Sequence, residues 1–194
     1  MAEIESHPLE PFLPENATML FLGSFPPPKA RWSMDFFYPN WINDFWRIMG
    51  LIHYGDKGHF ECGGTEKRFD KDRITEFAHT QGMAFYDTAS KVRRLRGNAS
   101  DEFLEIVKPA DIASLLRCMP QCHTIVTTGG KASEELRMLL TDASNTTVAL
   151  PKIGSYTEVY AYDRNIRWWR MPSSSRAYPL KLEKKAEYYR QLFA

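Results

Sequence analysis

Short apolar, β-rich runs punctuate the chain at residues 18–23, 83–87, 123–128, 146–150 and 166–171. Their length and their Val, Ile, Phe, Tyr and Thr content predict five strands. Between them apolar positions recur at helical spacing. In 41–49 they fall at Trp41, Ile42, Phe45, Trp46 and Met49, one stripe of a helix. Residues 69–79 are amphipathic, and 109–116 opens on Pro109, a residue tolerated in a first helical turn. A further helix, 131–140, follows Gly129-Gly130, and 182–193 closes the chain. Strands alternating with helices predict a three-layer α/β/α fold with a mainly parallel central sheet. Such sheets bind ligands beyond the carboxyl ends of their strands. That rule directs attention to the segments after Gly23, Asp87, Thr128 and Met171.

Neither a repeat nor a linker interrupts this pattern, so 1–194 reads as a single domain. Its first segment, 1–16, is acidic and proline-punctuated, which predicts an arm lying on the surface. Residues 53–71, rich in Gly and charge, form the candidate mobile insertion. A chain of 194 residues with 43% hydrophobic content can bury one core and hardly two. A formal net charge of +1 means that any nucleic-acid surface must be a local patch. No apolar run approaches the roughly 20 residues that cross a bilayer, and no signal-peptide pattern is present. The expectation is a cytoplasmic protein, a monomer, without a membrane partner. Cys62, Cys118 and Cys122 lack the four-ligand pattern of a structural zinc, so free thiols and no metal or cofactor are expected.

Chemistry concentrates after the strands. Gly23-Ser24-Phe25-Pro26-Pro27-Pro28 pairs a glycine, which allows close backbone approach, with prolines that hold a loop extended. It is no Walker loop, because the Gly-Lys-Ser/Thr ending is missing. Phe36, Phe37, Tyr38 and Trp41 then crowd around Pro39 and Asn40. Such aromatics either enter the core or serve as stacking platforms for nucleobases. Thr128-Gly129-Gly130-Lys131 either binds an anion at a helix N-terminus or packs helix on sheet. Pro172-Ser173-Ser174-Ser175-Arg176 offers hydroxyls, N–H groups and a cation to phosphate, or is a solvated turn. Lys91, Arg93, Arg94 and Arg96 form the densest basic cluster, either a solvated face or a phosphate contact.

Taken in order, these segments resemble the uracil-DNA glycosylase superfamily, most closely its hypoxanthine-DNA glycosylase and mismatch-specific branches. The residues that carry the resemblance are Gly23-Ser24-Phe25-Pro26, Asn43-Asp44-Phe45-Trp46, Phe85-Tyr86-Asp87, Arg93-Arg94, Ser100-Asp101, Gly129-Gly130-Lys131-Ala132 and Pro172-Ser173-Ser174-Ser175. They span almost the whole chain. Two positions depart from the wider pattern. Phe25 stands where many members carry a catalytic Asp or Asn, and Met171 stands where several carry a His. The hypoxanthine branch also lacks the first acid, and the resemblance there implies a catalytic role for Asn43.

The resemblance implies a base-excision glycosylase that extrudes a deaminated base, hypoxanthine or uracil, from DNA and hydrolyses its glycosidic bond. Gly23, Ser24 and Phe25 would line the base pocket, and Phe37 or Tyr38 would stack on the base. Asn43 would orient water or bond the base; its bland alternative is a helix cap. Asp35 and Asp87 are the nearby carboxylates that would be the alternatives to it as base. Ser173, Ser174, Ser175, Arg93 and Arg94 would hold DNA, with Arg176 or Tyr178 filling the vacated space. Two other readings stay open: a catalytically silent relative that binds DNA or a nucleobase, and an unrelated nucleotide-binding α/β protein.

Overall fold

A computed structural model of the chain describes residues 3–95 and 103–194. Arg96 and Ser100-Asp101 lie outside the described residues. Five strands form the central sheet: β2 (Met19–Gly23), β3 (Met83–Asp87), β6 (Thr124–Thr128), β7 (Ser155–Ala161) and β8 (Arg164–Met171), in the order β3-β2-β6-β8-β7. The first four in that order run parallel, and β7 closes the edge antiparallel to β8. The sheet is therefore mixed. A separate antiparallel sheet joins β1 (Ile4–Ser6), β4 (Ala89–Arg94) and β5 (Leu104–Pro109), with β4 in the middle.

Side-chain alternation along the strands builds two cores. On β2, Phe21 faces a cluster with Phe45, Trp46, Ile74, Phe77 and Tyr189, which belong to α1 (Phe45–Tyr54), α2 (Lys71–Thr80) and α5 (Leu182–Arg190). Leu20 and Leu22 face the opposite cluster, with Leu115, Leu116, Leu136 and Leu140 from α3 (Ile112–Arg117) and α4 (Gly130–Ser144). Helices thus cover both faces of the sheet, as buried parallel strands require.

Several boundaries differ from the hydrophobic pattern, each for a physical reason. Residues 146–150 are not a strand; they follow the left-handed Asn145 (φ 52°) as an irregular segment, with the Val148 N–H bonded to Thr141 Oγ1. The strand at that edge is β7, whose side chains are mostly solvent-facing and polar. It turns into β8 through Tyr162 and Asp163, both at positive φ (53° and 59°), a two-residue hairpin without the usual Asn-Gly signal. Helix α1 starts at Phe45 rather than 41, and α3 starts after Asp111, whose carboxylate accepts the Ser114 N–H, while Pro109 ends β5.

The arm lies along the surface, with most of its residues exposed or half-buried, but it is tied to the fold. β1 pairs with β4, Phe12 bridges to Phe85, and the His7 side chain is only 3% exposed. In the segment 53–71, Phe60 and Phe69 are buried against the α1 side of the core. Among the described residues no helix is long and apolar enough to cross a membrane.

His53, late in α1, packs edge-on against Phe77 and Phe193, at 4.9 and 4.6 Å between ring centroids. Its Nε2 is buried with no hydrogen-bond partner among the described residues. Burial pushes the imidazole below its ordinary value, so the folded state holds it neutral. The stability this contributes is present above the unfolded value of about 6.5 and is lost as pH falls from there toward the folded value. His53→Leu is expected to flatten the acid-side fall in stability. Urea melts at pH 7.5 and 5.5 check this; identical pH dependence in both proteins would dismiss it.

Candidate active site

The carboxyl ends of β2, β3 and β6 and the segment after β8 open into one cleft of about 640 Å³. Its walls come from three places. Gly23 to Pro27 follow β2, Phe37 to Asn43 follow the turn at Lys29–Arg31, and Ser173 to Ser175 follow β8. Asp87 and Thr128, the last residues of β3 and β6, form the floor. The strand-end rule thus selects residues that the fold does bring together.

Gly23 is required by the floor. A Cβ there would come within 2.5 Å of Asp87 Oδ1. Asp87 cannot easily yield, because its Oδ2 accepts a 2.8 Å hydrogen bond from His7 Nε2. Above Gly23, the Phe25 ring packs on Ala89, Val92 and Leu104, so it contributes an apolar wall and no proton chemistry.

Phe37 and Tyr38 have different surroundings. Phe37 is 3% exposed, stacked on Phe85 and edge-on to Phe36. Tyr38 is half-buried, at φ 52°, with one face stacked on Phe45 at 3.9 Å. Its hydroxyl lies 2.8 Å from Thr128 Oγ1. Burial pushes the phenol far above its ordinary value, so it stays a neutral hydrogen-bonding group. A positive φ at a tyrosine is strained and is held here by the stack and the hydroxyl pair.

Asn43 sits just before α1. Its Oδ1 accepts the Phe45 N–H at 2.9 Å, so it serves the first N–H of α1 much as a cap would, one residue ahead of the N-cap Asp44, which makes no side-chain cap bond. The same bond leaves the side-chain NH₂, a donor, as the group available to the cleft that Asn43 lines. Buried Arg47 holds this turn from behind, donating to the Trp41 and Asn43 carbonyls and pairing with Glu61 at 2.7 Å.

The serine loop is fixed by ionic contacts. Asp44 is 6% exposed; its N–H donates to the Ser174 carbonyl, and its two oxygens take Arg176 Nε at 3.0 Å and Lys185 Nζ at 3.1 Å. Lys185 is fully buried and also donates to the Ser175 carbonyl at 2.8 Å. Ser173 Oγ and Ser175 Oγ accept the N–H groups of Ser175 and Ala177. Arg176 is anchored through Nε, and its exposed side chain does not line the cleft, whereas Tyr178 does.

Two arginines of the basic cluster, both on β4, are engaged in ion pairs. Arg94 is 9% exposed on its side chain, pairs with Glu5 at 3.0 Å, donates to the Pro26 carbonyl and lies over the Phe25 ring. It clamps the arm to the cleft wall and is not a surface phosphate contact. Arg93 pairs across strands with Glu105 at 2.6 Å. Asp35 is exposed beside Lys29 and lines a separate cavity of about 550 Å³, away from the strand ends. Met171 is a core residue. Gly129, at φ 102°, abuts Ser173 and does not line the cleft, so the glycine turn packs α4 against the serine loop.

Two residues of the site escaped sequence reasoning. His7 carried no signal, because its partner lies eighty positions away. Arg31, exposed at the cleft mouth, was visible as the basic step after the proline run.

No family model matches the chain, and no curated protein matches it. Solved structures do. One is the solution NMR structure of "a putative Uracil DNA glycosylase" from Methanosarcina acetivorans, with a TM-score of 0.61 over 99% of this chain and 100% of that one. Sequence identity is 19%. The likeness is one of fold. It agrees with the fold that the motif resemblance implies and extends over nearly the whole of both chains.

Proposed function

We propose that this chain is a DNA glycosylase that hydrolyses the bond between deoxyribose and a flipped, deaminated base, hypoxanthine or uracil. The observation that carries this reading is the cleft itself. It is of ligand size, opens at the strand ends, and combines an aromatic platform with a polar floor and a fixed serine loop. A full-length fold likeness to a protein of that description agrees with it.

In this reading DNA lies across the carboxyl-end rim and one nucleotide turns out of the stack into the cleft. The base continues the Phe45–Tyr38 stack, with Gly23, Ser24 and Phe25 against its edge. The Asn43 NH₂ donates to charge developing on the departing base or to the sugar-side water. Ser173, Ser174 and Ser175 take the flanking phosphates, and Arg31 at the mouth and Arg176 beside the serine loop supply cationic charge. Tyr178 is placed to fill the space the base leaves. With so few cations, affinity should be modest and its salt slope that of a handful of phosphates.

Duplexes carrying uracil, hypoxanthine or xanthine, incubated with the protein and treated with alkali, test the reading. Strand breaks at one lesion are expected and name the base. No breaks at any lesion would refute hydrolysis. Lesion binding without breaks would favour a silent binder, the second reading, which Phe25 and the occupied Asn43 Oδ1 recommend.

Tyr38→Ala should weaken the lesion complex by about 1–3 kcal/mol, the value of one base stack, and an undamaged duplex much less. Tyr38→Phe should keep the stack. Equal losses on both duplexes would make Tyr38 a packing residue.

A further inference from the structure

The Gly- and charge-rich segment 53–71 takes no part in the cleft, yet it builds one wall of the second cavity. There the chain from Phe60 to Asp70 folds back on itself. Phe69 bridges to Glu61, the Cys62 N–H donates to the Arg68 carbonyl, and the Asp70 N–H donates to the Phe60 carbonyl. The turn Lys29–Arg31 and the residues after it form the opposite wall. About 550 Å³ of open space lies between the two.

This cavity and the cleft are neighbours. Trp32 and Ser33 line the cavity, whereas Pro39 and Asn40 line the cleft. Trp32 bridges to Asn40, and the Ser33 N–H donates to the Pro39 carbonyl at 2.8 Å. A ridge two chain segments wide, about 5 Å from one backbone to the next, therefore divides them. The Trp32 indole is pinned to it, because Nε1 donates at 2.7 Å to the carbonyl of Pro27, a cleft residue. At the turn, exposed Arg31 lines the cleft and Lys29 lines the cavity. The Lys29 side chain is 74% exposed and pairs loosely with Asp35, at 3.8 Å. One phosphate crossing the ridge meets both cations.

The lining narrows the ligand. Trp32, Met34 and Phe69 supply apolar surface, while three cations, Lys29, Arg68 and Lys71, are matched by three carboxylates. A free anion gains little where the charges cancel. Among the described residues no group of acids, histidines and cysteines is suited to hold a metal ion. A planar ring with apolar faces and a rim of donors and acceptors fits both features, and a nucleobase is such a ring. We propose that this cavity is a second base site. It takes a base one or two nucleotides from the flipped one and stacks it on Trp32, with Lys29 and Arg31 on the phosphate between them. This rests on the reading of the cleft as a nucleotide pocket for DNA. A flanking base in a duplex is held by its pair and its stack, so the site favours a lesion in single-stranded DNA.

Cys62 allows a test on the unaltered protein. It is a half-buried free thiol lining the cavity, whereas Cys118 is exposed and outside the cavity lining, and Cys122 is buried. Iodoacetamide alkylation of each cysteine is followed by mass spectrometry, with and without single-stranded oligonucleotides. These carry uracil or hypoxanthine as a 2′-fluoro nucleotide, which resists hydrolysis. A saturating lesion strand is expected to slow Cys62 by about tenfold or more and to leave Cys118 unchanged. Each flanking base is then replaced in turn by an abasic linker. At one position the replacement should release Cys62 and weaken binding by about fivefold or more, the loss of one stack. Trp32→Ala should weaken the intact strand by the same factor and that abasic strand no further, whereas Trp32→Phe should keep most of the affinity. The same lesion in a duplex should leave Cys62 reactive.

Protection of Cys62 that no abasic replacement relieves would overturn the proposal, since DNA would then cover the cavity without entering it. Unchanged Cys62 reactivity in a saturated complex would do the same, as would equal protection by the duplex or no binding of single-stranded DNA. Equal protection by free deoxynucleoside monophosphates would also overturn it, making the cavity a mononucleotide site and no part of a DNA track. Protection without cleavage of any lesion would remove the glycosylase reading alone. Lesion cleavage with Cys62 unprotected would remove this inference alone.

Discussion

Asp44→Ala is expected to destabilise the protein by about 3–5 kcal/mol, the cost of stripping one partner from a buried ion pair. The reason is Lys185, whose side chain is fully buried and whose ammonium, among the described residues, has Asp44 and the Ser175 carbonyl to meet. Without the carboxylate a buried positive charge keeps one neutral acceptor. Arg176 loses less, because its side chain is 45% exposed and water replaces the partner. Lys185→Met should cost less than Asp44→Ala, since it removes the buried charge and leaves Asp44 its bond to Arg176. Urea unfolding of the three proteins at one pH gives the order. Asp44→Ala within about 1 kcal/mol of the wild type would show that the pair contributes like a surface ion pair. The loss should also reach function, because the same contacts hold the Ser173–Ser175 backbone beside the start of α1. Lysine burial at α5, the last helix of the chain, thus bears on the geometry of a loop that faces the cleft.

What could be read from the sequence was local, and what could not was long-range. Residues at 18–23, 83–87 and 123–128 carry enough consecutive apolar and β-branched character to declare a buried strand unaided, and their ends mark the cleft. β7 could not be read the same way. As an edge strand it buries little, and its turn uses Tyr162 and Asp163 in place of the usual small residues. β1 exists through its pairing with β4, more than eighty positions away, and β4 with β5 through a pairing of about ten to twenty positions; no local periodicity records either. The same holds for the charged residues. Arg94 looks like any surface arginine until the arm brings Glu5 to it and the proline loop brings Pro26. Gly23 and the serine run stand at strand ends, where a ligand site is expected; Tyr38 is one of two candidate aromatics in the loop that follows, and Asn43 is marked by the motif resemblance. His7 was not legible, because a histidine in an acidic arm has no local reason to be buried. Sequence reading therefore finds the walls of such a site more readily than the residues that come from elsewhere to complete it.

The second large effect expected is on the chemistry. Asn43→Ala should lower lesion cleavage by about 10²–10³, the loss that follows removal of one donor aimed at developing charge. DNA affinity should stay within a few-fold, because Asn43 lines the cleft while the proposed phosphate contacts lie on the serine loop. Alanine also removes the cap on the Phe45 N–H, which costs stability of about 0.5–2 kcal/mol and would by itself loosen the start of α1. Asn43→Ser separates the two roles. Serine caps a helix about as well as asparagine, but its short hydroxyl does not reproduce the NH₂ that projects beyond the cap. If the NH₂ acts in the reaction, both variants lose cleavage to the same extent while only alanine lowers the melting temperature. If Asn43 is a cap and nothing more, the serine variant cleaves as the wild type does, and the alanine variant recovers when assayed at lower temperature. Single-turnover rates on a lesion duplex, beside melting curves of the same preparations, decide between them. Asp87, already in the cleft, would in the second case be the remaining side chain able to take a proton from water there.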